Sequence, residues 1–287
     1  MLEQTRPTVL ALVLTHNAPE TLRACVTRVL EQLKPGDKLT VVDNASDPPA
    51  MMTVAPIGAR AAVEVVRLDR NLGPAGGYAR GLRHFLESDH PFVWIVDDDM
   101  MPESGALPCL MDLSLAQPDP VLVFPHVQDR QGRPFDVPAW CGVLIPRTIV
   151  EHVGMPREEY FWWCEDCEYL AWRIPRAGYR TMRSHDAKIV HEAVRRGRHK
   201  PAWKFYYEIR NVVHYRLNVQ VPAGVSSWRC TRKLLRSLAR MTAGILIRED
   251  HKVHKLKAVA HGLRDGIAGR LGIRPDMRVG LECPRQL

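Results

Sequence analysis

Three consecutive carboxylates, Asp97, Asp98 and Asp99, have the clearest chemical potential in this sequence of 287 residues. They follow residues 92–96, an apolar run typical of a buried strand. Adjacent carboxylates repel one another, and a divalent cation converts that repulsion into binding because Mg²⁺ and Mn²⁺ prefer oxygen ligands. In an extended chain alternate side chains share a face, so Asp97 and Asp99 would bind the metal and Asp98 would face elsewhere, for example a sugar hydroxyl. A solvated acidic loop is the alternative, which the preceding apolar run disfavours.

A second acidic cluster lies in residues 161–169, where three carboxylates accompany four aromatic side chains. The following residues continue at helical spacing, so Glu165 and Asp166 fall near a helix N-terminus, where negative charge is favoured. A carboxylate beside aromatic walls is partly desolvated, which raises its pKa and suits it to proton abstraction. The cluster therefore predicts a general base.

Two neighbouring features allow more than one interpretation. Cys164 and Cys167 have the spacing of a redox or zinc motif. However, no second cysteine pair has zinc-ligand spacing, and a redox pair of this type normally follows the first strand. His191 follows two apolar residues, as a core histidine would, whereas beside a metal it would be a nitrogen ligand.

These side chains need a scaffold, and the apolar runs 9–14, 39–42, 63–66 and 92–96 predict buried strands separated by helices. The pattern predicts an α/β fold with a mostly parallel sheet and helices on both faces. In such sheets ligands bind at the carboxyl ends of the strands, so one crevice is expected where polar clusters follow the strands. The clusters are Thr15-His16-Asn17, Asp43-Asn44, Arg70-Asn71 and Asp97-Asp98-Asp99.

The first three clusters fit a nucleotide. Asp43 can accept hydrogen bonds from a ribose hydroxyl or a base imide, and residues 71–77 predict a glycine-rich turn with close backbone approach. This turn lacks the ending of a Walker loop, and its glycine spacing is not that of a dinucleotide fingerprint. Ordinary turn chemistry is the alternative for each cluster on its own.

Bulk composition is globular, with 46% hydrophobic and 25% charged residues, and the net charge is +8. Residues 1–194 hold 19 Lys and Arg against 26 Asp and Glu, whereas residues 195–287 hold 21 against 6. We therefore predict a catalytic domain over residues 1–200 and a basic, helical region over residues 201–287 that faces something anionic. The polar N-terminus, the absence of a long apolar run and seven scattered cysteines predict a cytoplasmic protein without a signal peptide or a spanning helix.

Two helical stripes are expected in the basic region. The apolar stripe comprises Leu234, Leu235, Leu238, Met241, Ile245 and Leu246. The basic stripe comprises Arg229, Arg232, Lys233, Arg236 and Arg240. A basic amphipathic helix fits peripheral contact with an anionic membrane, here the inner face of the plasma membrane. A helix packed on the catalytic domain, with a solvated basic face, is the alternative.

Taken in order, the motifs resemble those of the family 2 glycosyltransferases with the GT-A fold. The matching pieces are Leu14-Thr15-His16-Asn17, Val42-Asp43-Asn44-Ala45-Ser46, Arg70-Asn71-Leu72-Gly73-Pro74-Ala75-Gly76-Gly77, Trp94-Ile95-Val96-Asp97-Asp98-Asp99, Glu165-Asp166 and Val190-His191. The triplet and residues 163–169 are most similar to bacterial galactofuranosyl- and rhamnosyltransferases of cell-envelope polysaccharide assembly. Residues 203–211 are similar to a Tyr-Arg-Asn segment of that group.

The resemblance implies a role for each matched residue. The implied donor-binding residues are Thr15, His16, Asn17, Asp43, Arg70, Asn71, Asp97, Asp98 and Trp163. The implied ligands of Mn²⁺ or Mg²⁺ are Asp97, Asp99 and His191. Asp166 is the implied general base with Glu165 beside it, and Trp163 is expected to shape the acceptor site. The roles of Asp166 and Glu165 could be exchanged, because these positions vary between subfamilies.

The implied function is inverting transfer of a sugar from a donor of the UDP-galactofuranose or dTDP-rhamnose type. The acceptor hydroxyl would belong to a glycan, a polyprenyl-linked molecule or a small molecule. One alternative is a sugar nucleotidyltransferase, which would need a glycine-rich phosphate loop after the first strand. Another is a non-enzymatic nucleic-acid-binding protein, which leaves the carboxylate clusters unexplained, so nucleic acid is not expected as a partner.

Overall fold

The structure is a computed structural model that describes residues 6–58, 63–135, 138–192 and 200–277. They form two compact units. The first draws on Met1–Pro156 and Asp166–Val194, and the second on Arg157–Glu165 and Arg195–Leu287. The short segment Arg157–Glu165, which the sequence places before residue 200, thus packs with the C-terminal unit.

The first unit has an α/β fold. Its strands are β1 (Val9–Thr15), β2 (Lys38–Asp43), β3 (Val63–Arg67), β4 (Phe92–Asp97), β5 (Met100–Pro102), β6 (Val121–Asp129), β7 (Pro134–Phe135), β8 (Val143–Pro146) and β9 (Arg180–His191). Its longer helices are α1 (Pro19–Leu30), α2 (Ala50–Gly58), α3 (Gly73–Leu86), α4 (Ala106–Leu115) and α5 (Arg147–Val153). Short helical segments follow as α6 (Glu165–Glu168, which begins at the last residue of the second unit), a π-helical stretch (Tyr169–Arg173) and α7 (Ile174–Arg176).

All the strands join one sheet in the order β3-β2-β1-β4-β8-β6-β9-β5, with β7 paired to β6. Strands β1 to β4 pair in parallel, as do β6 and β9. Strand β8 enters antiparallel between β4 and β6, and β5 runs antiparallel to β9. The predicted α/β fold is confirmed, and its antiparallel part lies in the region after the triplet.

The register of β1 to β4 aligns their carboxyl ends. Thr15 lies beside Asp43, Leu14 beside Asp97, and Asp43 beside Arg67. The polar residues that follow these strands therefore meet at one edge of the sheet, as the strand pattern predicts. This edge is called the polar edge below.

Alternate strand residues divide the core between the two faces of the sheet. On β1, Val9, Ala11 and Val13 pack with α1, α2 and α4, whereas Leu10 and Leu12 pack with α3 and α5. Because side chains alternate along a strand, a strand that is buried on both faces reads as a continuous apolar run. Helices on both faces are thus confirmed.

The glycine-rich stretch before α3 differs from its prediction. Helix α3 already begins at Gly73, so Gly76 and Gly77 lie inside the helix instead of in an open turn. A Cβ atom on Gly77 would lie 2.4 Å from Leu14 Cδ1. The missing side chain therefore lets α3 approach β1 closely, which is a packing requirement that a local pattern does not distinguish from ligand contact.

The second unit is helical, as predicted for the basic region. It comprises a 3₁₀ segment (Glu158–Tyr160), α8 (Ala202–His214), a π-helical stretch (Tyr215–Gln220), α9 (Ser227–Arg248) and α10 (Lys252–Ile267). A core of apolar side chains joins α8, α9 and α10. Across the described part of the chain, no helix is both long and apolar enough to cross a membrane.

The predicted apolar stripe of α9 divides into two. Leu234 and Ile245 are buried in the helical core, and Leu238 and Met241 pack against it. Leu235 and Leu246 instead face solvent, at 58% and 49% exposure. The periodicity predicted the buried face correctly, but it assigned these two leucines to the wrong side.

Helix α10 packs on α8 at two glycines. A Cβ atom on Gly262 would lie 2.4 Å from the carbonyl oxygen of Tyr206, and one on Gly266 would lie 2.5 Å from that of Arg210. Backbone atoms cannot swing aside as a flexible side chain can. These glycines therefore set the separation between α8 and α10.

We predict that Gly262→Ala lowers the free energy of unfolding by about 1–3 kcal/mol, because the added methyl group overpacks this contact. Gly244→Ala is the matched control, since Gly244 lies in α9 with no heavy atom of the described residues within 4 Å of its Cβ position. The control should gain up to about 1 kcal/mol from helix propensity. Urea unfolding measures both, and equal effects of the two substitutions would contradict the packing argument.

Candidate active site

Each carboxylate of the acidic triplet has a different neighbour. Tyr78 donates its hydroxyl to Asp97, and Thr15 Oγ1 donates to Asp98 Oδ2 at 2.6 Å. Asp99 lies beside His191. The prediction that Asp97 and Asp99 share a face requires an extended chain through Asp99. That premise is wrong, because β4 ends at Asp97 and the chain turns before β5.

The pairing of two strands places His191 next to the triplet. Strand β5 pairs with β9 so that Met100 lies opposite His191, and the amide of Glu192 donates to the carbonyl oxygen of Asp99 at 2.7 Å. His191 Nε2 lies 3.1 Å from Asp99 Oδ2. Of its two interpretations, the structure favours the one in which His191 belongs to the carboxylate cluster.

The Asp99–His191 pair fits a divalent cation. Neighbouring ligands of an octahedral ion with bonds of about 2.1 Å lie about 3.0 Å apart, close to the separation seen here. The described residues hold no group of three or more His, Cys, Asp or Glu side chains arranged for a metal, so Asp97 does not complete a three-residue group with this pair. Mg²⁺-type ions are often held by one or two carboxylates, with substrate phosphates and water supplying the remaining ligands.

No disulfide joins Cys164 and Cys167. They also belong to no metal-binding group of three within the described residues. The redox and zinc interpretations of this pair therefore gain no support.

Asp43 is fully buried and holds the turn that follows β2. Its carboxylate accepts hydrogen bonds from the amides of Ser46 and Ala50 at 2.8 and 3.0 Å and from the Arg67 guanidinium at 2.5 Å. Burial disfavours the charged carboxylate, but these hydrogen bonds outweigh burial and lower the pKa of Asp43. Arg67 also donates to the Ser46 carbonyl oxygen at 3.0 Å. Asp43 thus holds the loop at the carboxyl end of β2, and Arg67 is a partner that the strand pattern did not single out.

The predicted nucleotide residues after β1 contact the same turn. His16 Nδ1 lies 2.8 Å from the carbonyl oxygen of Asn44, and burial lowers the pKa of His16. Asn17 has a φ of 54° and accepts the amide of Asp47 at 2.7 Å. The β1 and β2 ends therefore form one connected loop system.

After β3, Asn71 and Arg70 have separate surroundings. Asn71 Oδ1 accepts the amide of Gly73 at 2.7 Å, at the start of α3. Arg70 is exposed and lines a cavity of about 530 Å³ together with Arg67, Arg80 and Asp69. Three guanidinium groups outnumber the one carboxylate of the lining, which favours an anionic ligand.

Asp166 lies in α6, where its carboxylate accepts the amide of Cys167 at 2.6 Å. Burial raises the pKa of Asp166 against the opposing effect of that hydrogen bond. Burial also raises the pKa of the Cys141 thiol well above its usual range, and the charges of Asp97, Asp99 and Asp166 add to that rise. All three carboxylates therefore lie close enough to Cys141 to act on its thiol. The sequence carries no signal for the position of Cys141.

The loop before Asp166 belongs to the second unit and has an unusual backbone. Phe161, Trp163 and Cys164 have φ angles of 60°, 75° and 74°, a region that side-chain-bearing residues seldom adopt. Such conformations persist only when surrounding contacts hold them. Trp163 is 46% exposed, whereas Glu165 is buried at 4% exposure.

Two neighbouring residues of α8 hold this loop. Asn211 Nδ2 contacts three of its carbonyl oxygens, and the fully buried Arg210 contacts two. The Asn211 contacts are to Tyr160 at 2.9 Å, Trp162 at 2.8 Å and Trp163 at 2.8 Å. The Arg210 contacts are to Glu159 at 3.0 Å and Tyr160 at 2.9 Å. This explains the Arg-Asn pair in residues 203–211, for which the motif resemblance implied no role.

A groove of about 470 Å³ lies within the second unit, between α8 and α9. Trp163 lines it, and its charged lining residues have both signs: they are Lys200, Arg240, Arg248, Glu208 and Glu249. Its apolar lining residues include Phe205, Ile209, Val212 and Met241. Apolar walls with a few charged groups and this volume are typical of small-molecule sites.

The family model described as glycosyl transferase family 2 matches residues 11–160 of this chain. The match covers more than half of the sequence and includes β1 to β4 with the polar edge. The chain belongs to glycosyl transferase family 2. Family membership agrees with the glycosyltransferase that the motif order predicts. It supports neither the nucleotidyltransferase nor the nucleic-acid interpretation.

Curated relatives include galactofuranosyltransferases named GlfT1. The enzyme is 35% identical to the one from Mycolicibacterium smegmatis over 119 residues and 35% identical to the one from Mycobacterium tuberculosis over 121 residues. Each alignment covers 40% of this chain, and the chain covers 39% of the length of each relative. The predicted similarity to galactofuranosyltransferases is confirmed over this segment.

Solved structures with the same fold cover nearly the whole chain. A mannosyltransferase from Pyrobaculum calidifontis, PcManGT, in complex with GDP-Man and Mn²⁺, is 21% identical with a TM-score of 0.60, over 95% of this chain and 78% of that one. TarS residues 1–349 from S. aureus are 14% identical with a TM-score of 0.60, over 92% of this chain and 82% of that one. These similarities confirm the predicted GT-A fold.

We predict that Asn211→Ala reduces kcat by about 10- to 100-fold. The substitution removes the amide that holds three carbonyl groups of the Trp163 loop. The loop is then displaced, and the residues that follow it are misplaced. Asn218→Ala is the matched control, since Asn218 is exposed on the stretch that continues α8. Steady-state kinetics with circular dichroism measures activity and folding together. A folded Asn211→Ala variant with the control's kcat would show that the clamp is unnecessary.

Proposed function

We propose that the enzyme transfers galactofuranose from UDP-galactofuranose or rhamnose from dTDP-rhamnose to an acceptor hydroxyl, with inversion. The acceptor is a glycan, a polyprenyl-linked molecule or a small molecule of cell-envelope polysaccharide synthesis. The observation that supports this most is the acidic triplet at the polar edge of a family 2 fold, with Asp99 3.1 Å from His191. The partial identity with galactofuranosyltransferases supports the galactofuranosyl donor.

Asp166 is the proposed general base. It accepts the proton of the acceptor hydroxyl as that oxygen attacks the anomeric carbon opposite the leaving diphosphate. One such displacement inverts the configuration. Burial, which raises the pKa of Asp166, makes its carboxylate a better proton acceptor. Glu165, which precedes it, is the alternative base.

The polar edge is the proposed donor site. Thr15 orients Asp98 toward the ribose or donor sugar through their 2.6 Å hydrogen bond. Asp43 keeps its loop in place beneath the nucleotide, with the clusters after β1 and β3 beside it. Those clusters are His16-Asn17 and Arg70-Asn71.

Asp97, Asp99 and His191 are the proposed ligands of Mn²⁺ or Mg²⁺. The Asp99–His191 pair already has a suitable spacing, and Asp97 is proposed to join it when the ion binds. An ion held there would stabilise negative charge on the departing nucleotide diphosphate. Tyr78 holds Asp97 in position through its hydroxyl. The Mn²⁺ in the mannosyltransferase of the same fold supports a divalent cation here.

Trp163 is the proposed acceptor contact. It is half-exposed, it lines the groove between α8 and α9, and two residues separate it from Asp166 along the chain. The groove therefore offers a site for the part of the acceptor that does not react.

The proposed domain organisation is a catalytic domain over residues 1–200 and a basic accessory region over residues 201–287. The proposed location is the cytoplasm.

A thermal-shift panel of nucleotide-sugars tests the donor and the metal together. We expect UDP-galactofuranose or dTDP-rhamnose to raise Tm by several degrees with Mn²⁺, since a ligand at 100 times its Kd stabilises the native state by about 2.7 kcal/mol. EDTA should remove most of the shift. His191→Ala should lose the metal-dependent part, whereas His84→Ala, which changes a half-buried histidine of α3 paired with Glu64, should retain it. No Tm shift with any nucleotide-sugar would exclude the proposed donor site.

Asp166→Asn should lower kcat by about 10²–10⁴-fold while donor binding is retained, because the amide cannot accept the acceptor proton. In the native enzyme activity should fall as the pH is lowered through the raised pKa of Asp166, since only the deprotonated base is active. The pH at which activity falls to half should therefore lie above about 4, the usual pKa of aspartate. Initial rates from acid to neutral pH measure it. A large loss in Glu165→Gln with an active Asp166→Asn would assign the base to Glu165.

A further inference from the structure

Helix α9 has an outer face with an unusual composition. Its 22 residues include six Lys and Arg but no Asp or Glu. The inner face packs into the helical core through Leu234 and Ile245. The outer face leaves large apolar side chains in solvent. Their exposed fractions are 70% for Trp228, 58% for Leu235, 49% for Leu246 and 76% for Ile247.

Three of these side chains lie along one line of the helix surface. Trp228 and Leu246 are five turns apart at 3.6 residues per turn, and Leu235 lies about two turns after Trp228, so the three form one stripe. A basic stripe runs along its side. It comprises Arg229, Arg232, Lys233, Arg236 and Arg240. The outer face therefore presents an apolar stripe beside a positively charged one.

The charges on this face repel one another within the helix. Arg229 and Lys233, Arg232 and Arg236, and Arg236 and Arg240 are pairs at i,i+4 spacing, where like charges destabilise a helix. A helix that only needed solvation would gain from acidic residues at these positions, as well as from polar residues in place of Trp228. An anionic partner with an apolar layer removes both costs, because it neutralises the basic stripe and buries the apolar one.

We propose that the outer face of α9 docks on an anionic lipid bilayer, with the helix lying along the surface. The apolar stripe enters the boundary between head groups and acyl chains, and the basic stripe contacts lipid phosphates. A second copy of this chain fits poorly, since two such faces would bring like charges together. A nucleic acid would satisfy the basic stripe but not the apolar one.

This docking surface does not depend on the proposed glycosyl transfer, although it bears on where the reaction takes place. Arg240 belongs to the basic stripe and also lines the groove that Trp163 borders. The docked face is therefore continuous with the entrance of that groove. A lipid surface would lie next to the proposed acceptor contact.

Vesicle flotation of the full chain tests the proposal. The wild type should float with phosphatidylcholine vesicles that contain phosphatidylglycerol and bind much less to phosphatidylcholine alone, and added salt should weaken binding by screening. Arg232→Gln with Arg236→Gln should lower the partition coefficient roughly 30-fold, since each cation near an anionic surface contributes about a factor of five. Trp228→Ser with Leu235→Ser should weaken binding while the salt dependence remains.

Arg23→Gln with Arg180→Gln is the matched control, because it removes the same charge from exposed positions of the first unit. Circular dichroism and unfolding measurements confirm that all the variants fold. Equal loss of binding in the control and the α9 variant would overturn the assignment to this face. Absence of flotation with anionic vesicles would overturn the proposal, whether the protein then dimerises or binds DNA. Donor-induced Tm shifts, measured in parallel without vesicles, keep a failure of docking distinct from a failure of the donor site.

Discussion

Mutual repulsion among Asp97, Asp98 and Asp99 is the constraint on which the polar edge depends. Three adjacent negative charges follow a buried strand, and the structure separates them by giving each a different neighbour. Tyr78, Thr15 and His191 come from a helix, the first strand and the last strand, respectively. The arrangement of the triplet therefore depends on contacts from several elements of the first unit. The same requirement couples the stability of the fold to the geometry of the proposed metal and donor sites.

The segment that carries Asp166 depends on a second constraint, which is backbone strain. Residues 161–164 include three positive φ angles, and Arg210 and Asn211 hold the carbonyl groups around them. Both residues lie on α8, which α10 approaches closely at Gly262 and Gly266. Packing between two helices of the C-terminal unit thus supports the loop that leads along the chain to Asp166.

Like charges are also concentrated at the scale of the whole chain. An excess of carboxylates before residue 195 suits cation and hydroxyl chemistry, and an excess of cations after it suits an anionic surface. In both places like charges are concentrated where a partner of opposite charge would relieve them. Repulsion retained in a folded protein is thus a useful indicator of a binding partner.

Local patterns predicted the α/β fold, the four parallel strands and their shared polar edge, because strands buried on both faces read as apolar runs that end in polar residues. They also placed Asp166 beside a helix start and His191 at the end of a strand. They misplaced Gly76 and Gly77, Leu235 and Leu246, because periodicity does not reveal which side of an element meets a neighbour. The sequence by itself determined which residues are candidates for the chemistry. Only the tertiary structure decided which partner each one receives, because Tyr78, Arg67 and Cys141 reach the polar edge from distant parts of the chain.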